Sequence, residues 1–322
     1  MENIKNFFEL TRAYSLPMII ATLCVILSYA HYSQNFTIFN FILLIIALCI
    51  LHLGANLFDD YIDIKNKQKE GFELNNINFA NERKAILIRN GVFSLEKVQL
   101  ILCIMFASVC TIGLYFTIVA GWQILIFALL GAGLILFYPF SAKYYLSEIV
   151  VGLAFGPVAI MGGYFALTGG FDSNLLLLSS TIFITTIILL HTHSIMDWEF
   201  DIKEGKNTLA LLCKTKPRAI VMLKWMIIIS YTIIVFGIFN LNFNPNMMYV
   251  FLTLPIATKL QKSIKDYINI KDVKFIPRWY YGPFENWDKI KENKIDFFMY
   301  RFYLARNFAL FFAIFASIGA VL

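Results

Sequence analysis

The chain has 322 residues, of which 59% are hydrophobic and only 15% are charged, and its mean hydropathy is +0.69. Soluble domains are about 45–50% apolar and about 25% charged, so this composition excludes an ordinary water-soluble globular protein. The formal net charge is +6, but the arrangement of the charges along the chain is more informative than their total. The composition predicts an all-α, polytopic membrane protein.

Nine apolar runs are long enough to span, or nearly span, a hydrocarbon layer that needs about 20 helical residues. They lie at about 15–33, 37–58, 98–119, 121–140, 147–168, 174–196, 219–240, 245–261 and 301–322. The run that begins at Pro245 is the weakest of them. We therefore expect about nine transmembrane helices in one bundle, a single domain over residues 1–322, with polar loops near 59–97, 197–218 and 262–300.

The Lys and Arg residues fall on one side of the predicted spans. They lie before the first span and in or beside the loops that follow the even-numbered spans, whereas the loops near 34, 120, 170 and 243 contain none. Cytoplasmic loops carry an excess of Lys and Arg. This distribution predicts that the N-terminus and the three polar loops are cytoplasmic and that the C-terminus is outside.

Two acidic clusters lie where an apolar run breaks into a polar loop. The first contains Asp59, Asp60 and Asp63, after the second span, and the second contains Asp197 and Asp201, after the sixth. Each has two aspartates four residues apart, which on a helix places both carboxylates on one face. Like charges at that spacing repel, whereas Mg²⁺ is commonly held by one or two carboxylates plus substrate phosphates. The pattern predicts an enzyme that holds a diphosphate through metal ions, although a solvated helix end would explain either cluster alone.

Polar and cationic residues near both clusters suit diphosphate oxygens. Arg89 closes the first loop, Lys206 and Asn207 follow the second cluster, and Lys143 lies in the turn after the fourth span. The positive-inside distribution is an alternative explanation for any one cation. His193 lies one helical turn before the second cluster, where a histidine–carboxylate iron site is an alternative to a buried, hydrogen-bonded histidine.

Together these motifs resemble those of the UbiA-type intramembrane prenyltransferases, and most of all the 1,4-dihydroxy-2-naphthoate polyprenyltransferase branch of menaquinone synthesis. The NDxxD-type motif of that family is matched by Asp59-Asp60-Tyr61-Ile62-Asp63, with Asn56 upstream. Its second motif, DxxxD followed by Gly-Lys-x-Thr-Leu, is matched by Asp197, Asp201 and Gly205-Lys206-Asn207-Thr208-Leu209. Further matches are Thr11-Arg12 with Pro17, Arg89-Asn90-Gly91 with Ser94, and Tyr138 with Lys143.

The resemblance implies Mg²⁺-dependent (or Mn²⁺-dependent) transfer of a prenyl group from a polyprenyl diphosphate to an aromatic acceptor, with a product that stays in the membrane lipid. The implied metal ligands are Asp59, Asp60, Asp63, Asp197 and Asp201. The implied catalytic residues are Asp63, Asp197, Asp201 and Lys206. The implied substrate-binding residues are Asn56, Arg89, Lys143, Tyr138, Arg12, His193 and Asn207. We expect a bacterial inner-membrane enzyme with no nucleic-acid partner.

The chain departs from the family pattern at several positions, and two of these departures, at His193 and in the long 259–300 insert, leave the acceptor open. Asp59 replaces the usual first asparagine, Lys67 and Lys69 stand where many relatives have a further acidic residue, and His193 belongs to a pair that replaces two asparagines. A haem, a 4-hydroxybenzoate and a glycerol-phosphate lipid are the alternative acceptors. A cation-coupled transporter is the alternative function, but it predicts acids at the bilayer midplane rather than at one face. The basic, aromatic 259–300 segment is predicted to rest on anionic headgroups.

Overall fold

All regular structure in the described part of the chain is helical. The computed structural model of the protein describes residues 2–69, 93–268 and 274–322. The first half contains α1 (Glu2–Leu10), α2 (Pro17–Ala30), α3 (Ile38–Lys69), α4 (Leu95–Ala120), α5 (Ile124–Ser141), α6 (Ser147–Leu153) and α7 (Ala159–Thr168). The second half contains α8 (Ser173–Met196), α9 (Trp198–Lys203), α10 (Leu209–Leu212), α11 (Lys216–Asn240), α12 (Leu254–Ile268), α13 (Trp287–Glu292) and α14 (Asp296–Val321).

Eight stretches of the described residues are long and apolar enough to cross a membrane. They are Ala13–Ala30, Ile38–Asn66, Leu95–Ala120, Ile124–Tyr144, Ser147–Thr168, Ser173–Met196, Lys216–Asn240 and Asp296–Val321. They correspond to all of the predicted spans except the one that begins at Pro245. The all-α, polytopic membrane fold is therefore confirmed, and the predicted count of about nine is close.

The segment that begins at Pro245 is built differently from the other spans. It starts as a 3₁₀ helix, Pro245–Thr253, and continues directly into α12. The Tyr231 and Thr253 hydroxyls are 2.6 Å apart, and Gln261 Nε2 donates to the Ile220 carbonyl at 3.2 Å. The segment thus runs antiparallel to α11 over most of its length. Its two-part construction and its lysine-bearing second half explain why it lacks one long apolar helix.

The bundle has a buried centre and an exposed flank. Helices α8 and α14 are the most buried crossings, since α14 packs against α2, α8 and α12, and α8 also packs against α6 and α11. Helices α4 and α5 leave most of their apolar side chains on the outside of the bundle. A helix that is hydrophobic all round, with little protein cover, faces lipid in a membrane protein.

The fifth crossing is kinked between α6 and α7. Residues Ala154–Val158 form a π-type turn that contains Gly156 and Pro157. Proline removes a backbone donor, so the turn has carbonyls that the helix does not use, and the Thr22 hydroxyl donates to the Phe155 carbonyl at 2.8 Å. A Cβ at Gly156 would lie only 2.8 Å from the Phe183 amide of α8. The kink therefore depends on a glycine that lets α8 approach closely.

Both acidic clusters lie at the same end of the bundle. At the opposite end, Asn35 Nδ2 donates to the Thr168 carbonyl at 2.9 Å and joins the loop after α2 to the end of α7. Residues 59–63 and 197–201 are separated from that end by the lengths of α3 and α8. We call the end that carries the two clusters the acidic end.

Two helices run beyond their predicted ends. Helix α3 continues to Lys69, so Asp59, Asp60 and Asp63 are helical residues and not loop residues. Helix α12 continues to Ile268, past the predicted end at 261, because its buried residues recur at a helical spacing that a hydropathy average misses.

Candidate active site

The first acidic cluster pairs with an arginine from the N-terminal segment. Arg12 contacts the Asp60 carboxylate with Nη2 and lies 3.4 Å from Asp59 Oδ2. Burial by itself would lower the pKa of Arg12, but the negative charges of Asp60 and Asp59 outweigh it and raise that pKa. Asp60 is buried, whereas Asp63 is exposed one turn further along α3. Arg12 therefore holds two of the three predicted metal-binding carboxylates in place.

A polar cluster beside Arg12 fixes the turn that carries it. The Ser15 hydroxyl lies 2.6 Å from His52 Nε2, and Asn56 Nδ2 donates to Ser15 Oγ at 3.2 Å and to the Thr11 carbonyl at 3.4 Å. Arg12 itself has a left-handed backbone, with φ of 55°. The predicted substrate-binding residue Asn56 is thus engaged with the chain, where it anchors the 11–15 segment against α3.

The second cluster straddles a break between two helices. Asp197 ends α8, and α9 starts at the next residue, so Asp197 and Asp201 do not share a continuous helix as their spacing predicts. The Asp201 amide still donates to the Asp197 carbonyl at 2.8 Å and keeps one turn between them. The Lys206 amide donates to the Asp201 carbonyl at 2.9 Å after Gly205, whose φ of +67° turns the chain back.

The Asp201 carboxylate is largely removed from water. Burial is the main cause that raises the pKa of Asp201 to about 7; Lys206 opposes it, and the negative charges of Asp197 and Glu148 add to it. A bound cation would favour the charged form of this carboxylate. A buried carboxylate that lies near other acids and has a raised pKa is a candidate functional residue.

Glu148, at the start of α6, is a residue of the site that the sequence analysis missed. Its Oε1 accepts hydrogen bonds from Ser194 Oγ and from the Leu209 amide, both at 3.1 Å, and the side chain is 3% exposed. The carboxylate joins the end of α8 to the end of the 205–209 loop. The sequence did contain a signal for Glu148, because it is a single acidic residue in an apolar run. An ionisable residue at membrane depth costs free energy and is therefore a candidate functional residue.

Electrostatic interactions indicate that the two clusters lie near one another at the acidic end. His193 interacts with Asp197, whose Oδ2 lies 3.2 Å from His193 Nδ1, and also with Arg12 of the first cluster. Tyr138, near the end of α5, interacts with Asp59, with Arg12 and with Glu148. The structure thus brings the predicted residues of α3, α5 and α8 together.

Three further predicted residues, Lys143, Lys206 and Asn207, lie in or beside the 205–209 loop. Asn207 Nδ2 donates to the Lys143 carbonyl at 3.3 Å, and the Lys143 side chain is exposed at the edge of the acidic end. Lys206 Nζ lies 5.4 Å from the centre of the Phe200 ring. Arg89 lies outside the described residues.

The carboxylates fit a metal only together with a further ligand. Among residues 2–69, 93–268 and 274–322, no three His, Cys, Asp or Glu side chains form a group that could hold a metal ion. Mg²⁺ keeps several waters and is usually bound by one or two carboxylates plus phosphate oxygens. Asp59, Asp60 and Asp63 on one side, and Asp197 and Asp201 on the other, suit such partial sites.

Two phenylalanines of α14 also escaped the sequence analysis. The ring centres of Phe298 and Phe302 lie 5.1 and 6.3 Å from that of His193, both in edge-on arrangements. Phenylalanine is so frequent in the spans that no pattern singles these two out. They line one side of the second cluster with aromatic surface.

Replacing Glu148 should loosen the 205–209 loop. We expect Glu148→Ala to lower the free energy of unfolding by roughly 1–3 kcal/mol, since it leaves the buried Leu209 amide without its acceptor. Hydrogen exchange of residues 205–209 should accelerate, whereas Glu148→Gln keeps an acceptor oxygen and should change it little. Glu199→Ala is the matched control, because Glu199 is 71% exposed and pairs with Lys216 at the surface. Equal exchange in Glu148→Ala and wild type would contradict this role.

The fold is shared with solved membrane proteins. A UbiA homologue from Aeropyrum pernix K1, solved in its apo form, superposes with a TM-score of 0.59 at 15% identity, over 94% of this chain and 96% of that one. A UbiA homologue from Archaeoglobus fulgidus, bound to GPP and Mg²⁺, superposes with a TM-score of 0.57 at 13% identity, over 95% of this chain and 99% of that one. At this identity the likeness concerns the fold.

Sequence comparison agrees with the structural comparison. The 1,4-dihydroxy-2-naphthoate octaprenyltransferase of Bacillus subtilis (strain 168) is 23% identical over 270 residues, which are 81% of each chain. Residues 18–273 match the UbiA prenyltransferase family. This match covers both acidic clusters and well over half of the chain. The chain therefore belongs to the UbiA prenyltransferase family.

Proposed function

We propose that this prenyltransferase transfers a prenyl group from an allylic polyprenyl diphosphate to an aromatic acceptor of the dihydroxynaphthoate type, in menaquinone-like quinone biosynthesis. The observation that carries the proposal is that the two acidic clusters lie at the same end of the bundle, with Arg12 paired to the first cluster and Tyr138 of α5 near both Asp59 and Glu148. Family membership and the Bacillus subtilis relative support the choice of reaction and acceptor.

The two clusters would hold Mg²⁺ together with the donor diphosphate. Asp59, Asp60 and Asp63 would provide one set of ligands, and Asp197 and Asp201 the other. When bound, the metal would supply Lewis-acid stabilisation of negative charge on the leaving diphosphate. The Lys206 ammonium and the Arg12 guanidinium add fixed positive charge beside the same oxygens.

Prenyl transfer needs a dry, aromatic surface beyond the diphosphate. The allylic C–O bond breaks with both electrons leaving on the diphosphate oxygen, an acceptor ring carbon forms the new bond, and the ring loses a proton. His52 lies 5.3 Å from the Phe155 ring at the kink, so aromatic groups stand on the membrane side of the first cluster. Such groups exclude water and stabilise a cation.

We place the acceptor ring beside His193. This residue, Phe298 and Phe302 form an aromatic wall on the membrane side of Asp197. The His193 side chain is 45% exposed, so one of its faces is accessible to a ligand. Tyr138 and Lys143 lie on the donor side, near the first cluster and near the 205–209 loop.

Removing one acidic group at a time tests the metal assignment. Asp63→Asn and Asp201→Asn should each lower kcat/KM about 100-fold, which corresponds to roughly 3 kcal/mol of lost electrostatic stabilisation. EDTA should abolish wild-type activity, and Mg²⁺ or Mn²⁺ should restore it. Prenyl transfer from a radiolabelled polyprenyl diphosphate to lipid-soluble product is the measurement.

Asp172→Asn is the matched control for these variants. Asp172 caps α8 at the opposite end by accepting from the Asn174 and Leu175 amides, a role that asparagine also fills. This variant should keep wild-type activity. Full activity in Asp63→Asn or Asp201→Asn, or in the presence of EDTA, would refute the assignment.

Separate variation of the donor and acceptor tests where each binds. Lys143→Ala and Lys206→Ala should raise the KM of the prenyl diphosphate with every acceptor, because they remove positive charge near its oxygens. His193→Asn should change the preference among naphthoate, 4-hydroxybenzoate, glycerol-phosphate and haem acceptors and leave the donor KM unchanged. An effect of His193→Asn on the donor KM alone would place the acceptor elsewhere.

We propose that the acidic end is cytoplasmic and that the C-terminus lies outside the bacterial inner membrane. The loops at the opposite end, near 34, 120, 170 and 243, carry no Lys or Arg. In a background without the five native cysteines, a membrane-impermeant maleimide should label Ser173→Cys in intact spheroplasts and should reach Glu204→Cys only after lysis. Both positions are exposed, so the reverse pattern would invert the orientation.

A further inference from the structure

Residues 274–286, which precede α13, run back along α14 instead of extending into water. The ring of Phe275 packs on Tyr300, with centres 5.3 Å apart. The Tyr281 carbonyl accepts from Asn307 Nδ2 at 2.9 Å, and the Tyr303 hydroxyl donates to the Glu285 carbonyl at 3.1 Å. The segment thus descends along α14 and returns; we call it the 274–286 hairpin.

The apex of the hairpin reaches membrane depth. Val321 marks the far end of α14, where its carbonyl accepts from the Tyr32 hydroxyl. A hydrocarbon layer of about 30 Å takes about 20 helical residues, so its boundary at the acidic end falls near position 301 of α14. A Cβ at Gly282 would lie 2.5 Å from the Phe311 ring and 2.9 Å from Asn307. Gly282 therefore lies roughly 10–15 Å inside that boundary.

Four residues near the apex of the hairpin present no free backbone N–H group. Irregular backbone at membrane depth is tolerated only where its polar groups find partners in the protein. Pro277 and Pro283 have no N–H group. The amides of Tyr281 and Gly282 donate within the hairpin's own tight turn, at 2.9 and 3.2 Å.

Two buried polar side chains of α14 satisfy the carbonyls. Arg306 Nη2 donates to the Pro283 carbonyl at 3.0 Å and lies 3.0 Å from the Glu285 carboxylate, while Asn307 bonds the Tyr281 and Pro283 carbonyls. Arg306 is 7% exposed and Asn307 is fully buried. An arginine inside a span is costly and needs a partner. Through these contacts Arg306 and Asn307 hold the hairpin against α14, and the hairpin supplies the partners that the two buried side chains need.

The outer surface of the hairpin is aromatic and apolar. Trp279 is 90% exposed, and Ile276 and Tyr280 are also exposed. Arg278 adjoins them, so a positive charge lies beside the aromatic residues. Trp and Tyr favour the zone between hydrocarbon and headgroups, and a neighbouring arginine reaches the headgroups.

The hairpin covers the face of α14 that points away from the proposed acceptor wall. At 100° per residue, Tyr300, Tyr303 and Asn307 lie on the opposite side of the helix from Phe298 and Phe302. We propose that residues 274–286 form a re-entrant hairpin that inserts into the leaflet at the acidic end, with Trp279 in contact with phospholipid acyl chains. This extends the expectation that the 259–300 segment rests on the headgroups.

Fluorescence quenching by lipid measures this depth directly. The Trp279 signal is the difference between wild type and Trp279→Phe in vesicles of phosphatidylcholine, with or without bromine on the acyl chains. Two other exposed tryptophans serve as references for quenching. Trp225, 58% exposed on α11, reports quenching within the bilayer. Trp122, 64% exposed in the turn between α4 and α5, reports quenching at the membrane surface.

The Trp279 signal should be quenched by the brominated chains to nearly the same extent as that of Trp225, and aqueous iodide should have little effect on it. Quenching by iodide as strong as at Trp122, with weak quenching by brominated chains, would place the hairpin at the surface and overturn the proposal. Trp279→Phe is safe for folding because the side chain has few contacts with the protein.

A second experiment tests what holds the hairpin. Asn307→Ala should accelerate hydrogen exchange of residues 279–285 at least severalfold and make Trp279 accessible to iodide. Tyr303→Phe removes only the hydrogen bond to the Glu285 carbonyl and should give a smaller change, so the idea stays testable if Asn307→Ala folds poorly. Asn240→Ala is the matched control, since Asn240 bonds only a carbonyl of its own helix, at 3.1 Å. Wild-type exchange in both hairpin variants would contradict the proposed anchoring.

Discussion

The constraint on which this structure depends is that the hydrocarbon of a bilayer offers no hydrogen-bond partners to the backbone. At two places where the chain departs from a regular α-helix, a side chain donates to a carbonyl of the irregular backbone. Thr22 donates to the carbonyl of Phe155 at the kink of the fifth crossing. Asn307 donates to the carbonyl of Tyr281 in the hairpin. The kink brings Phe155 to the membrane side of the first acidic cluster.

At the acidic end, buried charges have partners from other elements of the fold. Arg12, from the segment before the first span, neutralises carboxylates of α3. Glu148, at the start of the fifth crossing, accepts bonds that join α8 to the loop after it. Burial raises the pKa of Asp201, and the nearby negative charges of Asp197 and Glu148 add to that effect. Such a carboxylate is stabilised in its charged form by a cation, which is consistent with the proposed metal-binding role.

Helix α14 links the proposed reaction site to the lipid. One face packs its aromatic rings on His193, beside the second cluster, and the opposite face carries Asn307, which holds the hairpin. The same helix packs against α2 and α8 in the centre of the bundle. The hairpin and the aromatic wall therefore pack on two faces of one helix.

The sequence by itself determined the membrane fold, the approximate number of spans, the shared end of the two clusters and the family, because apolar length, charge placement and motif spacing are local properties of the chain. It did not reveal Glu148, Phe298 or the hairpin. Their importance arises from which residues meet across helices far apart in sequence, and hydropathy and spacing carry no information about such contacts. It also placed Asp197 and Asp201 on one helix, whereas the chain bends at Asp197. Only the tertiary structure decided these points, since the bends and pairings follow from packing between helices and from hydrogen bonds to buried polar groups.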